Sequence, residues 1–202
     1  MTGILLAGGK SRRMGEDKRY LVVGEQTLLE RGLAVLRSTF QEVLVVIAQD
    51  SPQLVIDARV VRDLMPDCGS LGGLYTGLIQ ATTPYIFVVA CDMPFLDQAV
   101  IGLFTGRRAT ADIVIAKIEA RLHPMHALYG KRCLPVVERM ILARQLKTQE
   151  IVSQSSLRVQ YVTEADLLTV DPSGRSFYNV NTPADFEVAR SLMDRVPPSG
   201  QP

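Results

Sequence analysis

The stretch Gly3-Ile4-Leu5-Leu6-Ala7-Gly8-Gly9-Lys10-Ser11-Arg12-Arg13-Met14-Gly15-Glu16-Asp17-Lys18 runs an apolar strand straight into a glycine-rich, basic loop. Glycines at 8, 9 and 15 permit positive φ and let backbone N–H groups approach a ligand without an intervening Cβ. Successive amides in such a turn form an anion-binding concavity. Lys10, Arg12, Arg13 and Lys18 add charge-assisted bonds to phosphate oxygens. Two familiar phosphate motifs do not fit. A P-loop ending at Gly9-Lys10-Ser11 needs its first glycine at position 4, which is Ile4. The dinucleotide fingerprint fails because Arg13 stands where its third glycine is required.

Composition bounds the remaining classes. The chain has 202 residues, 47% of them hydrophobic, enough for one substantial α/β core. The longest apolar runs, Tyr85 to Cys91 and Val43 to Ala48, fall far short of the ~20 residues that span a bilayer. The N-terminus enters a strand with no export pattern, so the expected location is the cytoplasm, with no membrane partner. A formal net charge of +1 supplies no field for generic nucleic-acid binding, so anion specificity must be local. Cys68, Cys91 and Cys133 are widely spaced without a C-x-x-C and read as reduced thiols.

Apolar β-rich runs alternate with helical patterns, the arrangement of a three-layer, doubly wound α/β fold with a mostly parallel sheet. Strands are expected near 2–7, 42–48, 59–62, 85–91, 112–118 and 157–162. Thr27-Leu28-Leu29-Glu30 reads as a capping box opening a helix to about Ser38, its apolar stripe Leu29, Leu33 and Leu36. Further helices are expected at 69–80, 97–106 and 135–144. In such sheets ligands sit outside the carboxyl ends of the strands. The glycine-rich loop, Asp63 and Asp92 each follow a strand and should therefore meet in one cleft.

Asp92 ends a run too apolar to be anything but a buried strand, and a carboxylate there needs a partner. A divalent cation bridging one carboxylate and substrate phosphates would supply it; an Asx turn with Pro94 is the structural alternative. Gly69-Ser70-Leu71-Gly72-Gly73-Leu74 should open a helix against a ligand, with Ser70 able to cap it. Asp63, taken alone, serves equally as a helix cap. In Phe177-Tyr178-Asn179-Val180-Asn181-Thr182-Pro183-Ala184-Asp185, Thr182, Pro183 and Asp185 start a terminal helix. Asn179 and Asn181, if on a strand, face one side and present two amides to one ligand. His123 and His126 lack a third metal ligand nearby.

From Leu6 to Lys18 every fixed position of the signature L-A-G-G-x-S-x-R-M-G-x-D-K is present. The chain thereby resembles the molybdenum cofactor guanylyltransferases, nucleotidyltransferases that guanylylate molybdopterin. The resemblance implies transfer of GMP from GTP to the terminal phosphate of molybdopterin, with release of pyrophosphate and with Mg²⁺ as cofactor. It implies Leu6, Ala7, Gly8, Gly9, Lys18, Asp63, Gly72 and Asp92 as nucleotide-binding residues, Asp92 also as the metal ligand in the C-D-x-P segment. Lys18, Arg13 and Asp92 are implied as catalytic. On the acceptor side it implies Asn179 and Asn181 within N-x-N-T-P-x-D, and Arg121 within R-x-x-P-x-x-A-L-Y. GTP and molybdopterin, or the complete molybdenum cofactor, are the implied partners, together with molybdoenzyme maturation proteins.

Two positions depart from the family pattern. Ser70 replaces the proline of G-P-L-x-G, and Gln49 stands where relatives often carry asparagine. A cytidylyltransferase would carry L-A-A-G at 6–9, and a nucleotide-binding regulator without catalysis would need neither Lys18 nor Asp92. The expected organisation is one domain over 1–194, with nucleotide-binding and acceptor-binding halves dividing near 110, and a disordered Pro- and Gly-containing tail over 195–202.

Overall fold

The computed structural model describes residues 1–8 and 17–194. Gly9, Arg13 and the tail at 195–202 lie outside the described residues. In chain order the regular elements are β1 (Thr2–Leu6), β2 (Val22–Val23), β3 (Gln26–Thr27), α1 (Leu28–Thr39), β4 (Glu42–Ile47), β5 (Arg59–Arg62), α2 (Gly69–Gln80), β6 (Tyr85–Ala90), α3 (Gln98–Gly106), β7 (Ile113–Ile118), β8 (Arg121–Gly130), α4 (Leu134–Leu142), β9 (Val159–Thr163), α5 (Glu164–Leu167) and α6 (Pro183–Asp194), with short 3₁₀ turns between them.

The large sheet has seven strands in the order β5-β4-β1-β6-β8-β7-β9. All neighbouring pairs are parallel except those made by β8, which runs antiparallel to both β6 and β7. Strand alternation sends successive side chains to opposite faces. Ile4, Leu44, Val46, Ile86 and Val88 pack beneath α2 and α4 on one side. Leu5, Val45, Ile47, Phe87 and Val89 pack beneath α1 and α3 on the other. Both faces are covered, which is why these strands read as continuous apolar runs rather than alternating ones.

Local rules hold where they were expected. Thr27 and Glu30 form the reciprocal capping box of α1, and Leu29, Leu33 and Leu36 are buried beneath it. Asp97 caps α3 by accepting from the Ala99 and Val100 amides. Thr182 and Asp185 make the corresponding exchange at α6: the Thr182 amide donates to Asp185 Oδ2 at 2.8 Å, and the Asp185 amide to Thr182 Oγ1 at 3.2 Å.

Three local expectations need correction. Residues 178–181 are irregular rather than a strand, because no neighbour among the described residues runs alongside them; the backbone bond from Val180 N–H to Asp92 O at 2.9 Å ties them to the chain soon after β6. Ser70 does not cap α2. The cap position is Cys68, with no side-chain bond, and the Ser70 hydroxyl instead bonds that of Thr148 at 2.8 Å. Finally, residues 121–130, which were not assigned to a strand, form the longest strand of the sheet. Pro124 sits inside it, tolerated because the β7–β8 register shifts there, from Ile115↔Ala127 to Ala116↔His123.

Candidate functional site

From β1 the chain steps to β4 and β5 on one side, then crosses back to β6 on the other, so the sheet reverses direction at β1. Such a reversal opens a crevice at the carboxyl ends of the strands. Backbone bonds set the floor of that crevice. Ala7 N–H donates to Val46 O at 2.8 Å, Cys91 N–H to Leu6 O at 3.0 Å, and Asp63 N–H to Ile47 O at 2.8 Å. The loops after β1, β5 and β6 therefore converge as expected. They enclose a cleft of about 620 Å³ whose lining includes Leu6, Ala7, Gly8, Lys18, Asp63 and Asp92.

Gly8 is required by close approach rather than by a left-handed backbone. A Cβ there would stand 2.8 Å from the Ala48 amide nitrogen, so any side chain would push the loop off β4. Gly72 is likewise a contact glycine. A Cβ on it would lie 2.5 Å from Met65 O and 3.0 Å from Asp63 Oδ2. Gly72 is buried and faces that turn, and it is not among the residues lining the cleft. It leaves room for Asp63, whose Oδ1 accepts from the Met65 amide at 3.0 Å and from Thr76 Oγ1 at 2.9 Å. Asp63 thus does not cap α2; its carboxylate braces the turn entering that helix, and the residue lines the cleft.

Lys18 and Asp92 face each other at the mouth, Nζ to Oδ2 at 3.7 Å. Burial pushes the Asp92 carboxyl above its ordinary range, and the Lys18 ammonium opposes that shift. Asp92 Oδ1 is buried, and no hydrogen-bond partner reaches it among the described residues. An orphaned carboxylate oxygen in a cleft meets the requirement for a hard cation, which Mg²⁺-type sites satisfy with one or two carboxylates plus substrate phosphates. No group of three or more His, Cys, Asp or Glu side chains positioned for a metal exists among the described residues.

Sequence reasoning missed Asp17 as a functional side chain. It lines the cleft and caps the 3₁₀ turn Lys18–Tyr20 by accepting from the Arg19 amide. Its carboxylate takes the buried Arg19 guanidinium in a fork, Nε to both oxygens at 2.9 Å, and this cation holds the Asp17 carboxyl below its usual range. The pair fixes the turn that aims Lys18. The signal was present as the Asp-Lys end of the glycine-rich segment. Gln49 also lines the cleft, in a loop pinned by Arg62, whose Nη1 donates to Gln49 O at 2.6 Å and Ser51 O at 2.9 Å. Met125, from the bulged part of β8, completes one wall.

The three residues expected on the acceptor side separate. Arg121 opens β8 at the same end of the sheet but is exposed and outside the cleft lining. Asn179 turns its amide onto its own chain, Nδ2 donating to Phe177 O at 3.0 Å. Asn181 is exposed, and its Oδ1 accepts from Lys18 Nζ at 3.1 Å. His126 is fully buried in an aromatic cluster, its ring 5.4 Å from Phe87, 5.4 Å from Phe104 and 4.5 Å from Phe177. His123 packs edge-on to Phe177 at 5.1 Å. The two histidines thus hold Phe177, not a metal. The three cysteines are buried free thiols, and burial pushes Cys91 up to about 12, where it is inert at neutral pH.

Comparisons with known proteins bear on this geometry. Residues 3–159 match the MobA-like NTP transferase domain. A probable molybdenum cofactor guanylyltransferase of Pelotomaculum thermopropionicum is 34% identical over 193 residues, covering 96% of this chain and 93% of that one. A molybdenum cofactor guanylyltransferase of Desulfosudis oleivorans is 34% identical over 195 residues, covering 96% of each. Among solved structures, molybdopterin-guanine dinucleotide biosynthesis protein A of Archaeoglobus fulgidus superposes with a TM-score of 0.82 at 27% identity, over 97% of this chain and 100% of that chain.

Proposed function

Because the chain belongs to the MobA-like NTP transferase family, we propose that its cleft transfers GMP from GTP to the terminal phosphate of molybdopterin and releases pyrophosphate. It is a nucleotidyltransferase, and the reaction is an in-line displacement. A phosphate oxygen of the acceptor bonds to the α-phosphorus of GTP while the bond from that phosphorus to the β-phosphate bridging oxygen breaks. The acceptor is already an anion, so no protein nucleophile is needed. Catalysis consists of aligning two negatively charged groups and neutralising charge on the leaving pyrophosphate.

The observation that carries this reading is the Lys18–Asp92 pair at the point where the sheet reverses, with Asp92 Oδ1 lacking a partner among the described residues. Asp92 would hold Mg²⁺, which would supply positive charge to offset that of the phosphates. Lys18 binds the triphosphate as a compact cation, with Arg13 as a second one. Gly8, which lines the cleft, is assigned with Gly9 to the phosphates, and Leu6, Ala7, Asp63 and the α2 entry turn held by Gly72 are assigned to the nucleoside. Asn179, Asn181 and Arg121 belong to the acceptor side. Molybdoenzyme maturation proteins would receive the product.

Thermal denaturation with GTP, CTP, ATP or UTP, each with and without Mg²⁺, tests the nucleotide half. A ligand that binds only the folded state raises its stability by RT ln(1 + [L]/Kd). A shift selective for GTP and increased by Mg²⁺ is expected. Selectivity for CTP would move the assignment to cytidylyl transfer, and no response to any nucleotide would refute it.

A further inference from the structure

Asn181 stands apart from Asn179 and Arg121 because its side chain bonds to the nucleotide half: its Oδ1 accepts from Lys18 Nζ, a contact spanning 163 positions of sequence. The segment that carries it is fixed at both ends. Upstream, Val180 N–H donates to the backbone oxygen of Asp92 at 2.9 Å, so the segment is bonded to the residue whose carboxylate faces Lys18. Downstream, the Asn181 and Thr182 amides both donate to Asp185 Oδ2, at 2.9 and 2.8 Å, locking the entry to α6. Farther back, Phe177 is wedged between the His123 and His126 rings. A neutral amide oxygen delivered this firmly is suited to orient an ammonium, which has three protons to distribute and no directional preference of its own.

We propose that Asn181 is a positioning residue for Lys18: it acts on the nucleotide through the lysine, coupling the C-terminal segment to the triphosphate site before any acceptor arrives. The proposal rests on the reading of Lys18 as a triphosphate ligand. A lysine head group has many rotamers open to it, and a bond that helps hold it beside Asp92 removes part of that cost in advance of binding. Asp17 and Arg19 fix the backbone of the turn that bears Lys18, whereas Asn181 fixes its head group.

The test is a double-mutant cycle on GTP·Mg²⁺ affinity, measured by calorimetry with no molybdopterin present. Asn181 is exposed, so truncating it leaves the core intact, and melting temperatures verify this for every variant. Asn181→Ala is expected to weaken GTP·Mg²⁺ binding by roughly five- to tenfold, the effect of losing one hydrogen bond of ordinary strength at an exposed position. Lys18→Ala should weaken it more, and the double variant should bind no worse than Lys18→Ala alone, because the asparagine then has nothing to position. Independent, multiplying losses would overturn the proposal, as would unchanged GTP affinity in Asn181→Ala accompanied only by a raised KM for the acceptor. Failure of the unaltered protein to bind GTP·Mg²⁺, or unchanged affinity in Lys18→Ala, would overturn the function proposed above and this inference with it.

Discussion

His126 makes the fold sensitive to acid in a calculable way. Its ring is fully buried among Phe87, Phe104 and Phe177, and neither nitrogen makes a well-formed hydrogen bond among the described residues. Burial is the main cause that drives its pKa down from 6.5 to about 3; His123 adds to the shift, and the Ser176 backbone and Asp171 oppose it. The sign follows from proton counting. Between these two values the unfolded imidazole binds a proton that the folded one refuses, so stability falls as pH falls from 6.5 and is fully present above it. Each pH unit in that window costs about 1.4 kcal/mol, so at pH 5 the loss is about 2 kcal/mol. The perturbation that isolates it is His126→Leu, which keeps an apolar side chain of comparable bulk and cannot charge. Urea denaturation of both proteins at pH 7.5 and pH 5.0 gives the difference in unfolding free energy at each pH. The variant should gain about 2 kcal/mol on the unaltered protein between the two. An unchanged difference would refute the account of a neutral, desolvated ring. Because Phe177 stacks on that ring and starts the segment leading to Asn181, loss of GTP binding should accompany the acid transition in the unaltered protein.

Other outcomes follow from the site. Lys18→Ala and Asp92→Asn should each lower turnover at least ~100-fold, measured by pyrophosphate release, since the first removes a cation that would offset charge on the leaving pyrophosphate and the second replaces the carboxylate that would hold Mg²⁺. Ligand-free Asp92→Asn should melt no lower than the unaltered protein at pH 7: a carboxyl pushed upward by burial costs stability when ionised, and the amide removes that cost. The same upward shift means Mg²⁺-dependent GTP binding should weaken on acidification from a higher pH than an ordinary aspartate would give, as read by calorimetry at a series of pH values. Gly72→Ala should destabilise by about 1–3 kcal/mol in denaturant titrations and loosen nucleotide binding, because its Cβ would press on Met65 O and on the Asp63 carboxylate.

Much of the fold was readable from local chemistry. Apolar runs marked β1, β4, β5, β6 and β7, and the Thr27-Glu30 and Thr182-Asp185 caps marked helix starts, because these features depend on residues within one turn of each other. The loops after β1, β5 and β6 could be placed in one cleft for a topological reason: parallel strands put their carboxyl ends on the same edge.

Strand β8 was hidden by its own composition. The β7–β8 turn is made by Glu119 and Ala120, both at positive φ, where Asn or Gly is the usual signal, and Pro124 interrupts the run. Only the strands on either side, β6 and β7, supply the pairing that overrides those preferences. The same limit applies to the site. Residue types and their places after strands marked Lys18, Asp63 and Asp92 as candidates for one cleft, since phosphate and metal binding ask for particular groups at the ends of strands. That Asn181 meets Lys18, that Ser70 meets Thr148 and that Gly72 serves Asp63 are contacts between segments remote in sequence, and those exist only once the sheet has closed and the helices have packed.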